Sequence, residues 1–176
     1  PLITRASTSG GGHEPEHEAQ FEGKCYGIIS VDGVLYAWWG PGSGNSFVAR
    51  TGLLRSRDHA ASWDRCDWSF TREERLYAGT FLNFGRDNAG ARDEYVYSYF
   101  VRGSTWALQV PGLADPARVP KGRIMDRSAY RFFAALNDDG QPLWTEDLSA
   151  RKPVLQDPNG LRTVSVADLG EHILLG

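Results

Sequence analysis

The stretch Ser56-Arg57-Asp58-His59-Ala60-Ala61-Ser62-Trp63 constrains the fold most. An Asp so placed in a polar turn accepts hydrogen bonds from backbone N–H groups a few residues on. A Trp five residues later is a large apolar ring that a β-sheet protein can bury. The turn needs a left-handed residue near its apex, and Ala60 occupies the place that glycine would fill without strain. The expectation is a structural clasp built on Asp58, with Trp63 buried between sheets. An ordinary polar turn followed by a core Trp is the alternative.

Strand signals surround this turn. Cys25 to Val31 and Val34 to Trp39 flank Asp32-Gly33, the dipeptide that supplies the positive φ angles of a primed hairpin turn. A third strand near Phe47 to Arg55 and a fourth near Arg65 to Phe70 complete a four-stranded antiparallel unit. The unit recurs with Thr80 to Phe84, Tyr95 to Phe100 and a strand between Leu113 and Val119. Asp126 is expected to cap a short helix running to about Leu136, with Ala129, Phe132, Phe133 and Leu136 on its core face. Trp144 follows Asp139 at the separation of Asp58 and Trp63, so a second clasp with a buried Trp is expected there. A third unit begins with Arg162 to Val166 and His172 to Leu175.

Domain organisation follows. Residues 1–22, rich in Ser, Gly, His and Glu, read as an arm or surface loop, and 23–176 as one domain with units at about 24–70, 78–155 and, in part, 160–176. In the arm, His13, Glu14, Glu16 and His17 are competent metal ligands, with a solvated polar linker the favoured reading. With 20 glycines, 12% aromatic residues and a net charge of −3, the chain reads as all-β and shows no basic excess that would attract nucleic acid. No apolar run reaches the length of a membrane span. Cys25 and Cys66 are compatible with one disulfide or two free thiols, so the compartment stays open, with an extracellular or periplasmic setting favoured.

The Ser56–Trp63 stretch has the Ser-x-Asp-x-Gly-x-Thr-Trp spacing of the Asp-box that closes blades of sialidase-like β-propellers, with Ala60 for Gly and Ser62 for Thr. Together with Tyr26–Tyr36, Phe81–Gly85, Ala89–Tyr97, Ala117–Lys121 and Asp157–Gly160, it makes the chain from Lys24 onward resemble a group of bacterial and fungal propeller proteins catalogued as domain of unknown function 4185. These are relatives of the five-bladed glycoside hydrolases. The resemblance implies a five-bladed β-propeller of four-stranded antiparallel blades, incomplete here, and a glycan or polysaccharide partner. A closed ring needs roughly 200 residues or more, so the edges near Lys24 and Leu175 are expected to meet another copy or further sequence.

In a propeller the loops at the funnel mouth line the ligand face, and the hairpin and Asp-box turns lie opposite. On the funnel side fall Glu73, Glu74 and Asp157, the candidate carboxyl pair for glycoside hydrolysis, which needs two acids about 5 Å apart for retention and wider for inversion. There too fall the ligand-binding candidates Trp39, Asn45, Arg50, Tyr77, Arg102, Trp106 and Arg162, aromatic faces and planar donors that suit sugars. Arg50, Arg75, Arg102 and Arg162 are candidates to clamp a carboxylate sugar. On the opposite side Asp87, Asn88 and Asp93 form either a turn network or an oxygen-ligand site for Ca2+. Three functions remain: a glycoside hydrolase or lyase-like enzyme, a carbohydrate-binding or structural propeller without turnover, and an interaction scaffold. No zinc-spaced Cys/His cluster, Walker loop, dinucleotide fingerprint or nucleophile elbow is present.

Overall fold

The computed structural model describes residues 23–40, 50–103, 105 and 107–176. The chain is all-β. Residues 1–22, residues 41–49 with Asn45, and Trp106 lie outside the described residues. A first antiparallel sheet runs in order β1 (Lys24–Val31), β2 (Val34–Gly40), β3 (Thr51–Ser56) and β4 (Asp64–Phe70). The second holds β5 (Leu76–Phe81), β6 (Tyr95–Arg102), β7 (Gly112–Pro120), β8 (Arg131–Leu136) and β9 (Pro142–Thr145), with β10 (Leu155–Asp157) pairing β7 beside its start. The last two strands, β11 (Val166–Asp168) and β12 (Ile173–Leu175), form a sheet of their own.

The β1–β2 hairpin forms as Asp32-Gly33 demands, with φ of 51° and 77° at the two turn residues. The clasp turn also takes the expected strained shape: His59 and Ala60 have φ of 57° and 71°. Asp58 holds it, accepting from the Ser62 N–H at 2.8 Å, from the Ser62 hydroxyl and from Ser56 Oγ at 2.8 Å. The Ser62 hydroxyl above all keeps the Asp58 carboxyl ionised, lowering its pKa from 3.8 to about 2. In the second turn Asn137, not Asp139, is the acceptor, taking the N–H groups of Asp139 and Gln141 at 3.1 and 2.7 Å.

Both clasp tryptophans depart from expectation. Trp63 is half-buried against Ala37, Trp39 and Leu54, on the face of the first sheet opposite Trp38. Trp144 is half-buried between Phe133 and Tyr97, with the Arg118 guanidinium 4.5 Å from its ring centroid. The tryptophan that fills the gap between the two large sheets is Trp38. It is fully buried and stacks on Phe81 at 5.5 Å, with Phe100, Tyr130, Phe70 and Trp68 around it. Its indole N–H donates to Ser98 Oγ at 3.0 Å, and Thr51 Oγ1 donates across the same gap to the Leu76 carbonyl at 2.7 Å. Two glycines permit the approach. A Cβ on Gly79 would stand 2.5 Å from the Phe100 ring, and one on Gly27 would stand 2.8 Å from Thr80 Cα.

The expected helix over 126–136 is absent. Asp126 does cap, accepting from Ser128 N, but the turn it starts is a 3-10 turn of three residues, Arg127–Ala129, after which the chain extends into β8. Pairing of Phe132 with Ala117 buries that ring, while Leu136, on the supposed core face, is 60% exposed. The unbroken apolar run Phe132–Leu136 is compatible with a strand as well as a helix, and the open edge of β7 decides for strand.

Both cysteines are free thiols. Cys66 bridges an irregularity in the β3–β4 ladder, accepting from Leu53 N at 3.2 Å and donating to the Trp68 carbonyl at 2.9 Å. Among the described residues no helix is long and apolar enough to cross a membrane.

Trp38→Ala is expected to lower stability to urea by about 3–5 kcal/mol, the cost of deleting a core aromatic. Ser98→Ala, which leaves the indole N–H without its acceptor, costs about 1–3 kcal/mol. Because the folded pKa of Asp58 is depressed, its contribution is complete above its ordinary value of 3.8 and fades as pH falls toward about 2. An NMR titration should place the Asp58 midpoint near 2, and the loss of urea resistance across that window should be shallower in Asp58→Asn.

Candidate functional site

Strand register gathers Glu73, Glu74, Tyr77, Arg102 and Asp157 at one end of the second sheet. Glu73 and Glu74 lie in the turn entering β5, Leu76 pairs with Arg102, Val101 with Ala114, and Asp157 with Gly112. The sequence analysis missed the group that organises this end. Asp115, on β7, is completely buried and accepts from Arg102 Nε and Nη2 at 2.7 and 2.5 Å and from Arg151 Nε at 2.9 Å. Arg151 also donates to the carbonyls of Leu148 and Glu74. The Glu74 carboxylate is paired with Arg127 and accepts from Thr71 N at 2.7 Å.

The remaining candidates are engaged as well. Asp157 accepts from Asn159 N at 2.8 Å within its own turn. Glu73 is exposed, and its own backbone N–H, helped by the Thr71 hydroxyl, holds its carboxyl below the usual range. Tyr77 shares a hydroxyl–hydroxyl bond of 2.9 Å with Tyr26, whose pKa burial drives upward. Trp39 lies under the Arg65 guanidinium, 3.9 Å from its ring centroid, and Arg50 and Arg162 are exposed.

Asp87, Asn88 and Asp93, the residues considered for a turn network or Ca2+, hold turns together. Asp87 accepts from Ser30 Oγ at 2.6 Å and from Gly33 N at 2.9 Å, pinning the β1–β2 hairpin. Asn88 Oδ1 accepts from Phe84 N, and Asp93 accepts from Tyr95 N and the Tyr97 hydroxyl. Among the described residues no three His, Cys, Asp or Glu side chains are grouped to hold a metal ion.

A cleft of about 770 Å³ opens elsewhere, between β4 and the 125–132 segment with residues 146–148. Asp67, Trp68 and Phe70 form one wall. Met125, Asp126, Arg127, Ser128, Tyr130, Phe132, Glu146 and Leu148 form the other walls and the floor. The rings of Phe70, Tyr130 and Phe132 are buried, so Trp68 presents the accessible aromatic surface. Its orientation is fixed by donation from Nε1 to the Met125 carbonyl at 2.7 Å. Asp126 is locked by Ser128 N, Ser128 Oγ and Arg123, and the Ser128 hydroxyl, then Arg123, hold its carboxyl down at about 2. Burial pushes the Tyr130 hydroxyl well up, and it donates to the Ile124 carbonyl at 2.8 Å. Around neutral pH these two groups therefore hold fixed protonation states, suited to orienting a ligand by hydrogen bonds. Alternation of Cys66, Trp68 and Phe70 was the available signal for one wall, whereas the helical reading of 126–136 hid the other.

A scan against protein-family models finds no match to the chain, and a search of curated proteins finds none either.

Asp115→Ala would leave Arg102 and Arg151, both largely buried, facing each other without their shared anion. Urea unfolding is expected to register a loss of about 3–5 kcal/mol, as for other broken buried pairs.

Proposed function

We propose that the chain is a carbohydrate-binding module of β-propeller type, which holds a glycan in the cleft between β4 and the 125–132 segment. The observation that carries this reading is the pairing, in one cleft, of the part-exposed Trp68 ring with the locked polar groups Asp126 and Ser128. Sugars present an apolar C–H face and a rim of hydroxyls. Aromatic surface and planar hydrogen-bonding groups complement those two features. The blade-like stacking of the sheets supports the propeller half of the proposal. The first sheet packs through Trp38 on one face of the second, while Val164, Leu161 and Leu175, flanking or within β11–β12, pack against Val101, Ala114 and Tyr99.

Glycoside hydrolysis is a second reading, suggested by the placement of Glu73, Glu74 and Asp157 at one end of the second sheet. We rank binding first because Glu74 is committed to Arg127 and Asp157 to its own turn.

Tryptophan fluorescence and calorimetry on a panel of oligosaccharides test the proposal. Trp68→Leu, with its fold checked by circular dichroism, is expected to weaken glycan binding about tenfold, the loss of one ring stacking contact worth about 1.4 kcal/mol. No new reducing ends should appear. Binding that ignores Trp68→Leu would move the site elsewhere. Release of product abolished by Glu73→Gln or Asp157→Asn would favour the hydrolase.

A further inference from the structure

The charges lining the cleft are unequal. Asp67, Asp126 and Glu146 contribute three carboxylates, and Arg127 the one guanidinium. That guanidinium is already neutralised, since Nη2 is held by the Glu74 carboxylate and Nη1 donates to the Ser69 carbonyl at 2.8 Å while the group lies over the Phe70 ring. The carboxylates are less evenly compensated. Asp126 is paired with Arg123 and the largely exposed Glu146 with Arg131 at 3.3 Å, whereas Asp67 makes no ion pair among the described residues. The arginines that the sequence suggested for clamping a carboxylate sugar do not line the cleft, and Arg102 is spent on Asp115. An anionic ligand would meet no uncommitted cation there and would stand beside the carboxylates of Asp67, Asp126 and Glu146.

We infer that the cleft selects its glycan by charge: saccharides bearing protonated amino groups bind ahead of neutral ones, and uronates are turned away. The inference rests on the glycan-binding reading and adds its specificity, with Glu146 and Asp67 as the determinants. Specificity here comes as much from repulsion of the wrong ligand as from attraction of the right one. Because both determinants are exposed, the preference must weaken as salt screens them.

The test is calorimetric titration of the chain with three hexamers, of glucosamine, N-acetylglucosamine and galacturonate, at low salt and at about 0.5 M salt, where screening is nearly complete beyond a few ångströms. The expected order is glucosamine, then N-acetylglucosamine, then galacturonate, with the first two converging at high salt. Asp67→Asn combined with Glu146→Gln should weaken the glucosamine hexamer about tenfold at low salt and change the N-acetylglucosamine hexamer less than about twofold. Asp138→Asn with Glu171→Gln removes the same charge from exposed positions outside the cleft and should change neither, which separates a local effect from the net charge of the chain. Neutral binding without an amino preference, or galacturonate binding as tightly as glucosamine, would overturn the inference and leave the glycan reading standing. Failure of every oligosaccharide to bind, here and in the wider panel, would remove both.

Discussion

The Trp38 indole is the joint on which the two large sheets depend. It projects from β2 into a nest supplied by both sheets, Phe70 and Trp68 from its own, Phe81 and Phe100 from the other, and Tyr130 from the turn that enters β8. Six large aromatic rings in one gap bury extensive apolar surface, and their edge-to-face and stacked contacts help to set how the sheets meet. The Ser98 hydroxyl satisfies the only polar atom of the Trp38 side chain. Gly79 keeps β5 thin where the indole must pass, so the joint is written into the backbone as well as the side chains.

The cleft follows from this joint. Trp68, Phe70 and Tyr130 turn one set of surfaces toward Trp38 and border the cleft with another, so the rings that set the sheet angle also shape the candidate site. Arg127 couples the two regions. It closes against Phe70, reaches the Ser69 carbonyl on β4 and pairs with Glu74 in the turn that leads to the buried Asp115 network. A charge buried as deeply as Asp115 needs partners on more than one side, and Arg102 and Arg151 supply them from β6 and from the chain after β9.

What the sequence disclosed was local. Asp32-Gly33 specified its hairpin, Asp58 its clasp, and Ala60 announced its own strain, because each depends on residues a few positions away. The strand at 131–136 was hidden because its unbroken apolar run suits a helix or a strand, and only the distant β7 edge distinguishes them. Arg102 stood out as a planar donor at the right end of a strand, but its anion is on another strand and shared with an arginine 36 residues beyond that anion. The cleft was least legible of all. Its two walls are joined by the Trp68–Met125 contact, which spans 57 residues, and no motif of either wall predicts the other.

The central claim, that the aromatic joint makes the two sheets one cooperative body, is tested most directly by native-state hydrogen exchange. If it holds, the slowest amides of β2 and of β6 open with the same free energy and shift together as denaturant is added. Amides of β2 that open at a markedly lower free energy while those of β6 stay protected would mean that the first sheet unfolds by itself, and that Trp38 does not unite the structure.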